Sequence, residues 1–86
     1  MYNYRELRVW QAGMELARDV YVLTRSFPGQ ELYGLTSQLR RAIVSVPANI
    51  AEGHGHFGRD RLYHYRIAYG SAKEVDVHIR LLLGTS

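Results

Sequence analysis

The spacing of apolar residues predicts an all-α protein, an antiparallel helical bundle with three long helices at about 4–26, 31–52 and 59–83 of the 86 residues. Three observations lead there. Apolar side chains recur at three- and four-residue intervals over several turns of each segment, and strand-like alternation is absent. Glycine and proline cluster at Pro28-Gly29 and again from Gly53 to Gly58, so the chain is interrupted twice. The connections are short, which sets neighbouring helices antiparallel. A composition of 47% hydrophobic and 22% charged residues is that of a globular chain, and residues 1–86 read as a single domain.

The first segment starts at Asn3, an N-cap with Glu6 three residues on, as in a capping box. Two apolar stripes follow. Leu7, Trp10, Met14, Ala17 and Tyr21 form one, and Val9, Leu16, Val20, Leu23 and Phe27 form the other. Together they span about 200°, twice the ~100° that a helix with one buried face requires. The second segment, from Glu31 or Tyr33 to Glu52, carries Pro47 in its interior. A kink is expected there because proline cannot donate to the carbonyl of Ile43. Gly53 is placed as its C-terminal stop. In the third segment Tyr65, Ala68, Ala72, Val75, Ile79 and Leu82 repeat as a heptad seam, ended by Gly84. The wide arc and the seam leave more apolar surface than three helices cover. Either a fourth helix after Ser86 or other subunits are expected to cover it.

Several classes are excluded or disfavoured. There is no cysteine, hence neither a disulfide framework nor a thiolate metal site. Met1 to Glu6 lacks the apolar stretch of a signal peptide, and no run approaches the ~18 apolar residues of a membrane span. A soluble, cytoplasmic protein is expected. The net charge of +3 is weighted toward residues 54–86, where five basic residues face three acidic ones. Attraction to a polyanion would act there.

Four blocks occur in order: Leu7-x-Val9-Trp10-Gln11; Phe27-Pro28-x-x-Glu31-x-Tyr33-Gly34-Leu35-Thr36-x-Gln38-Leu39-Arg40-Arg41-Ala42; Ser45-Val46-Pro47-Ala48-Asn49-Ile50-Ala51-Glu52-Gly53; and Ile67-Ala68-x-Gly70-Ser71-Ala72-x-Glu74. Over roughly residues 7–84 the chain thereby resembles the four-helix-bundle proteins encoded in intervening sequences of large-subunit ribosomal RNA genes. The accessory variability protein of diversity-generating retroelements resembles the same family. The resemblance implies a fourth helix and a ring oligomer, a homopentamer. It also implies association with RNA or DNA and with a protein partner such as a reverse transcriptase. The chain departs from the family pattern at His56, where members usually carry a basic residue, and near Gly58, where they carry a polar capping residue.

Two constellations are candidate sites. Gln38, Arg41, Ser45, Asn49 and Glu52 share one narrow helical face. They read either as a buried hydrogen-bond network, with Arg41 and Glu52 as anchors, that fixes register and assembly, or as a ligand pocket. Arg59, Arg66, Lys73 and Arg80 recur every seven residues on the third helix, with Tyr63 and Tyr69 nearby. Such a row suits a phosphate backbone, and a solvated face with intrahelical ion pairs is the alternative. Gly53-x-Gly55-x-x-Gly58 matches a dinucleotide fingerprint in letters only, because a helix rather than a strand precedes it. The four histidines match no metal-cage spacing, and neither a metal nor another cofactor is expected. No nucleophile–base pair or carboxylate cluster supports hydrolase or nuclease chemistry. The expected function is a non-enzymatic oligomeric scaffold that binds nucleic acid. The alternative is a purely structural oligomer that recruits a protein through Trp10, Tyr33 or the polar face.

Overall fold

The computed structural model describes residues 3–27 and 34–84. A 3-10 turn, Tyr4–Glu6, precedes three α-helices: α1 (Arg8–Thr24), α2 (Leu35–His54) and α3 (Gly58–Leu83). No strand occurs among the described residues.

The first segment is not one helix from Tyr4. Asn3 Oδ1 accepts from the Arg5 amide at 3.0 Å and caps a 3-10 turn, which the Glu6 amide closes by donating to the Asn3 carbonyl at 2.9 Å, in place of a capping box. Leu7 then turns extended, with ψ 127°, and α1 restarts behind it. The side chain of Gln11 donates to the Arg5 carbonyl at 2.9 Å and ties the turn to the helix. At the other end α1 stops at Thr24, short of Ser26. Thr24 is fully buried; its hydroxyl donates to the Val20 carbonyl and accepts from Arg40 Nε on α2, both at 2.8 Å. Arg40 also lies 4.8 Å from the Tyr21 ring centre, so one guanidinium fastens the end of α1 to α2. The expected start of the second helix at Glu31 or Tyr33 lies outside the described residues.

Helix α2 is the centre of the fold. It packs on both neighbours, while α1 and α3 nowhere approach within 8 Å between Cα atoms. Leu39 and Ile43 are wholly buried and meet Ala17, Val20, Ala42 and Val75, with Ile79 and Leu82 packed around them. Helix α2 runs continuously through Pro47, whose buried ring faces Gly13 of α1. A Cβ on Gly13 would stand 3.5 Å from the proline Cβ, ordinary contact distance. Pro47 is thus packed against a glycine of α1. Helix α3 ends as its glycine predicts: Gly84 adopts φ 71°, the left-handed cap.

Gly53 does not stop α2. The helix continues to His54 with Gly55 as its cap, and Gly53 is buried for another reason. A Cβ there would lie 2.8 Å from the Tyr65 ring and 3.1 Å from His64 Cβ. Glycine lets α3 approach α2 just beyond their connection. Gly53→Ala is expected to destabilise by about 1–3 kcal/mol, since overpacking outweighs the ~1 kcal/mol gain in helix propensity. Urea unfolding checks this, and an unchanged midpoint would mean that the Tyr65 ring simply swings aside. No helix among the described residues is long and apolar enough to cross a membrane.

Candidate functional site

The polar face of α2 meets a second polar face on α3. Gln38, Ser45 and Glu52 step by seven along α2, and His78, Ser71 and His64 step by seven in the opposite direction along α3. His78 Nε2 donates to Gln38 Oε1 at 3.1 Å, and Ser71 Oγ donates to Ser45 Oγ at 2.8 Å. Asn49 Nδ2 donates to the Ser45 carbonyl at 2.9 Å and to Ser45 Oγ at 3.0 Å, which turns Asn49 Oδ1 toward His64 Nδ1, 3.2 Å away. An antiparallel helix pair built on a shared heptad produces this ladder, with apolar contacts on one side of it. Its rungs fix the register of α3 on α2, because a slip of one turn breaks all of them.

Between the rungs a cleft of about 430 Å³ is lined by Gln38, Arg41, Ser45, Ser71, Glu74 and His78. Arg41, expected to anchor the network with Glu52, instead sits exposed at the rim of this cleft. Glu52 pairs with His56 in the connection that follows α2, Nε2 to Oε1 at 3.1 Å. That hydrogen bond, and then the charges of His56 and His64, hold the Glu52 carboxyl below the usual glutamate range. Glu52, His56 and His64 bring three ligand atoms within 4.8 Å of one another, a convergence not foreseen from their spacing in the chain.

All four residues of the basic row, Arg59, Arg66, Lys73 and Arg80, are exposed on α3, on the side away from buried Ala68 and Val75. Arg80 Nε donates to both Asp76 oxygens at 3.1 and 3.2 Å. Lys73 Nζ sits 4.7 Å from the Tyr69 ring centre, and Tyr63 and Tyr69 are among the most exposed aromatics. The neighbouring Arg61 has a different task. Its guanidinium donates to the Gly53 and His54 carbonyls at 3.3 and 3.1 Å, and so caps the end of α2. Trp10 is half-buried, edge-on to Tyr4 at 5.3 Å, and Tyr33 lies outside the described residues.

A third surface is apolar. Leu7 and Val9, Val46 and Ile50, and Tyr65, Ala68, Tyr69 and Ala72 line a groove of about 370 Å³ between α1 and α3, floored by α2. Val9, Leu16 and Leu23, seven apart on α1, are each exposed by more than two-fifths.

His64, Ser71 and His78 were missed as hydrogen-bond partners of the polar face, and Arg61 as a cap. The seven-residue repeat of His64, Ser71 and His78 was the signal available for the first group. A family model described as 23S rRNA-intervening sequence protein matches residues 5–86. No curated protein matches.

Proposed function

Because this chain belongs to the 23S rRNA-intervening sequence protein family, we propose that it acts as a non-enzymatic oligomeric scaffold that binds RNA or an RNA–protein complex. The observation that carries this reading is the exposed basic row, four cations at seven-residue steps on the face opposite the core. Phosphates spaced along a backbone are met by such a row without reading sequence. Tyr63 and Tyr69 flank it as faces for unstacked bases. Repetition of the row once per subunit would add weak contacts by multivalency.

Assembly is part of the same proposal. Helices α1 and α3 stand diagonally across α2 and leave the fourth corner of a bundle open. The groove there, and the exposed Val9, Leu16 and Leu23, give a second copy an apolar face to cover. A head-to-tail contact whose rotation closes would give a ring, a pentamer or another stoichiometry. The groove also favours the second reading, a structural oligomer that recruits a protein such as a reverse transcriptase without touching nucleic acid.

Binding to structured RNA and duplex DNA across a salt series, with the native mass recorded in parallel, tests both. The proposal expects an oligomer whose affinity falls steeply with salt. An oligomer with no affinity at low salt supports the second reading, and a monomer overturns the scaffold.

A further inference from the structure

We infer that Glu52, His56 and His64 form a binding site for one first-row transition-metal dication, zinc by chemistry. The three side chains come from the last turn of α2, the connection at 55–57 and the second turn of α3. They are brought together by the close helix approach at Gly53.

The donor set selects the ion. Two imidazole nitrogens and one carboxylate oxygen suit zinc and its neighbours, whereas magnesium and calcium require mostly oxygen. The two imidazoles lie side by side, ring centres 5.1 Å apart and planes within 20° of parallel. An ion sits in the plane of each imidazole it binds, so one ring must turn out of the stack for both lone pairs to converge on it. Glu52 Oε1 already lies 3.1 Å from His56 Nε2, close to the ~3.3 Å edge of a tetrahedral zinc site. The remaining separations, up to 4.8 Å, must shorten by about 1.5 Å to reach that edge. Exposed Glu52 and half-buried His56 have the rotamer freedom to close them.

The support behind the ligands is also in place. The Asn49 amide spends its NH2 on Ser45, so its oxygen faces His64 Nδ1. An imidazole that donates from Nδ1 to this oxygen leaves Nε2 for an ion, the arrangement in which an outer hydrogen bond orients a metal-ligating histidine. A plain i,i+4 ion pair between Glu52 and His56 needs no second imidazole alongside. Three protein ligands leave a fourth position for water or an exchangeable group. A bound ion would pin α3 to α2 across their connection.

The test is calorimetric titration of the full chain with zinc chloride, together with cobalt(II) absorption in the visible. One ion per chain is expected, with tetrahedral cobalt bands and a raised thermal midpoint. His56→Ala and His64→Ala should each weaken binding at least tenfold, and Asn49→Ala by about 10- to 100-fold. His78→Ala, at the far end of α3, should bind as the parent does. Circular dichroism establishes that each variant remains helical. Because His56 lies in the connection, His56→Ala is the variant least exposed to a folding defect. Stoichiometry well below one, or parental affinity in both histidine variants, overturns the site.

Discussion

Ile43→Ala is expected to lower the unfolding free energy by about 3 kcal/mol, within the ~2–5 kcal/mol range for truncating a buried isoleucine. Ile43 is fully buried on the one helix that touches both others, so the cavity opens at the junction of α1, α2 and α3, where neither outer helix can collapse into it independently. For a chain of 86 residues the total stability is on the order of 4–13 kcal/mol, so the loss is a large fraction of it. At roughly 4–8 °C per kcal/mol for a domain of this size, the thermal midpoint should fall by about 12–24 °C. Val44 is the internal control, adjacent in sequence but 47% exposed. Val44→Ala should change the midpoint little in an isolated chain. A large loss at Val44 would show that the assembled protein covers that face. A loss below about 1 kcal/mol at Ile43 would contradict the central place given to α2.

The helices were legible because their periods are long and unmixed. Heptad spacing on α3 placed Ala68 and Val75 in the core, and the polar face of α2 was visible as Gln38, Arg41, Ser45, Asn49 and Glu52 on one side, although Arg41 proves to sit at the cleft rim. What periodicity hides is the partner. His64, Ser71 and His78 repeat every seven residues, yet only the antiparallel register sets them against that face. The break at Leu7 was hidden for a different reason. Asn3 has two local donors, the Arg5 and Glu6 amides; its side chain takes the first and its carbonyl the second, a choice that residue spacing does not decide. Gly53 was misread because a glycine near a helix end has two explanations, a cap or a close approach, and only the position of Tyr65 separates them. The convergence of Glu52, His56 and His64 follows from that same approach and was invisible for the same cause.

Replacing Arg59, Arg66, Lys73 and Arg80 together by glutamine is expected to remove the salt dependence of nucleic-acid binding and leave the assembly intact. Four phosphate contacts give a slope of about −3.6 in log affinity against log salt, or roughly 150-fold between 50 and 200 mM. The Asp76 carboxylate does not remove Arg80 from that count, because their exposed i,i+4 pair is worth well under ~1 kcal/mol and yields to a phosphate. Lys73 resting on Tyr69 is likewise a weak, exposed contact that leaves the ammonium facing solvent. The fold should tolerate all four changes, since the row lies opposite Ala68 and Val75 and none of its members is buried. Net charge is the confounding variable: the replacement takes the chain from +3 to −1, and that alone would repel a polyanion. A second variant with Arg5, Arg8, Arg18 and Arg25 changed to glutamine has the same net charge and keeps the row. If α3 carries the contacts, this variant retains most of the slope while the first loses it. Equal losses would mean a diffuse electrostatic attraction with no defined interface, and parental binding in the first variant would move the partner to the apolar groove.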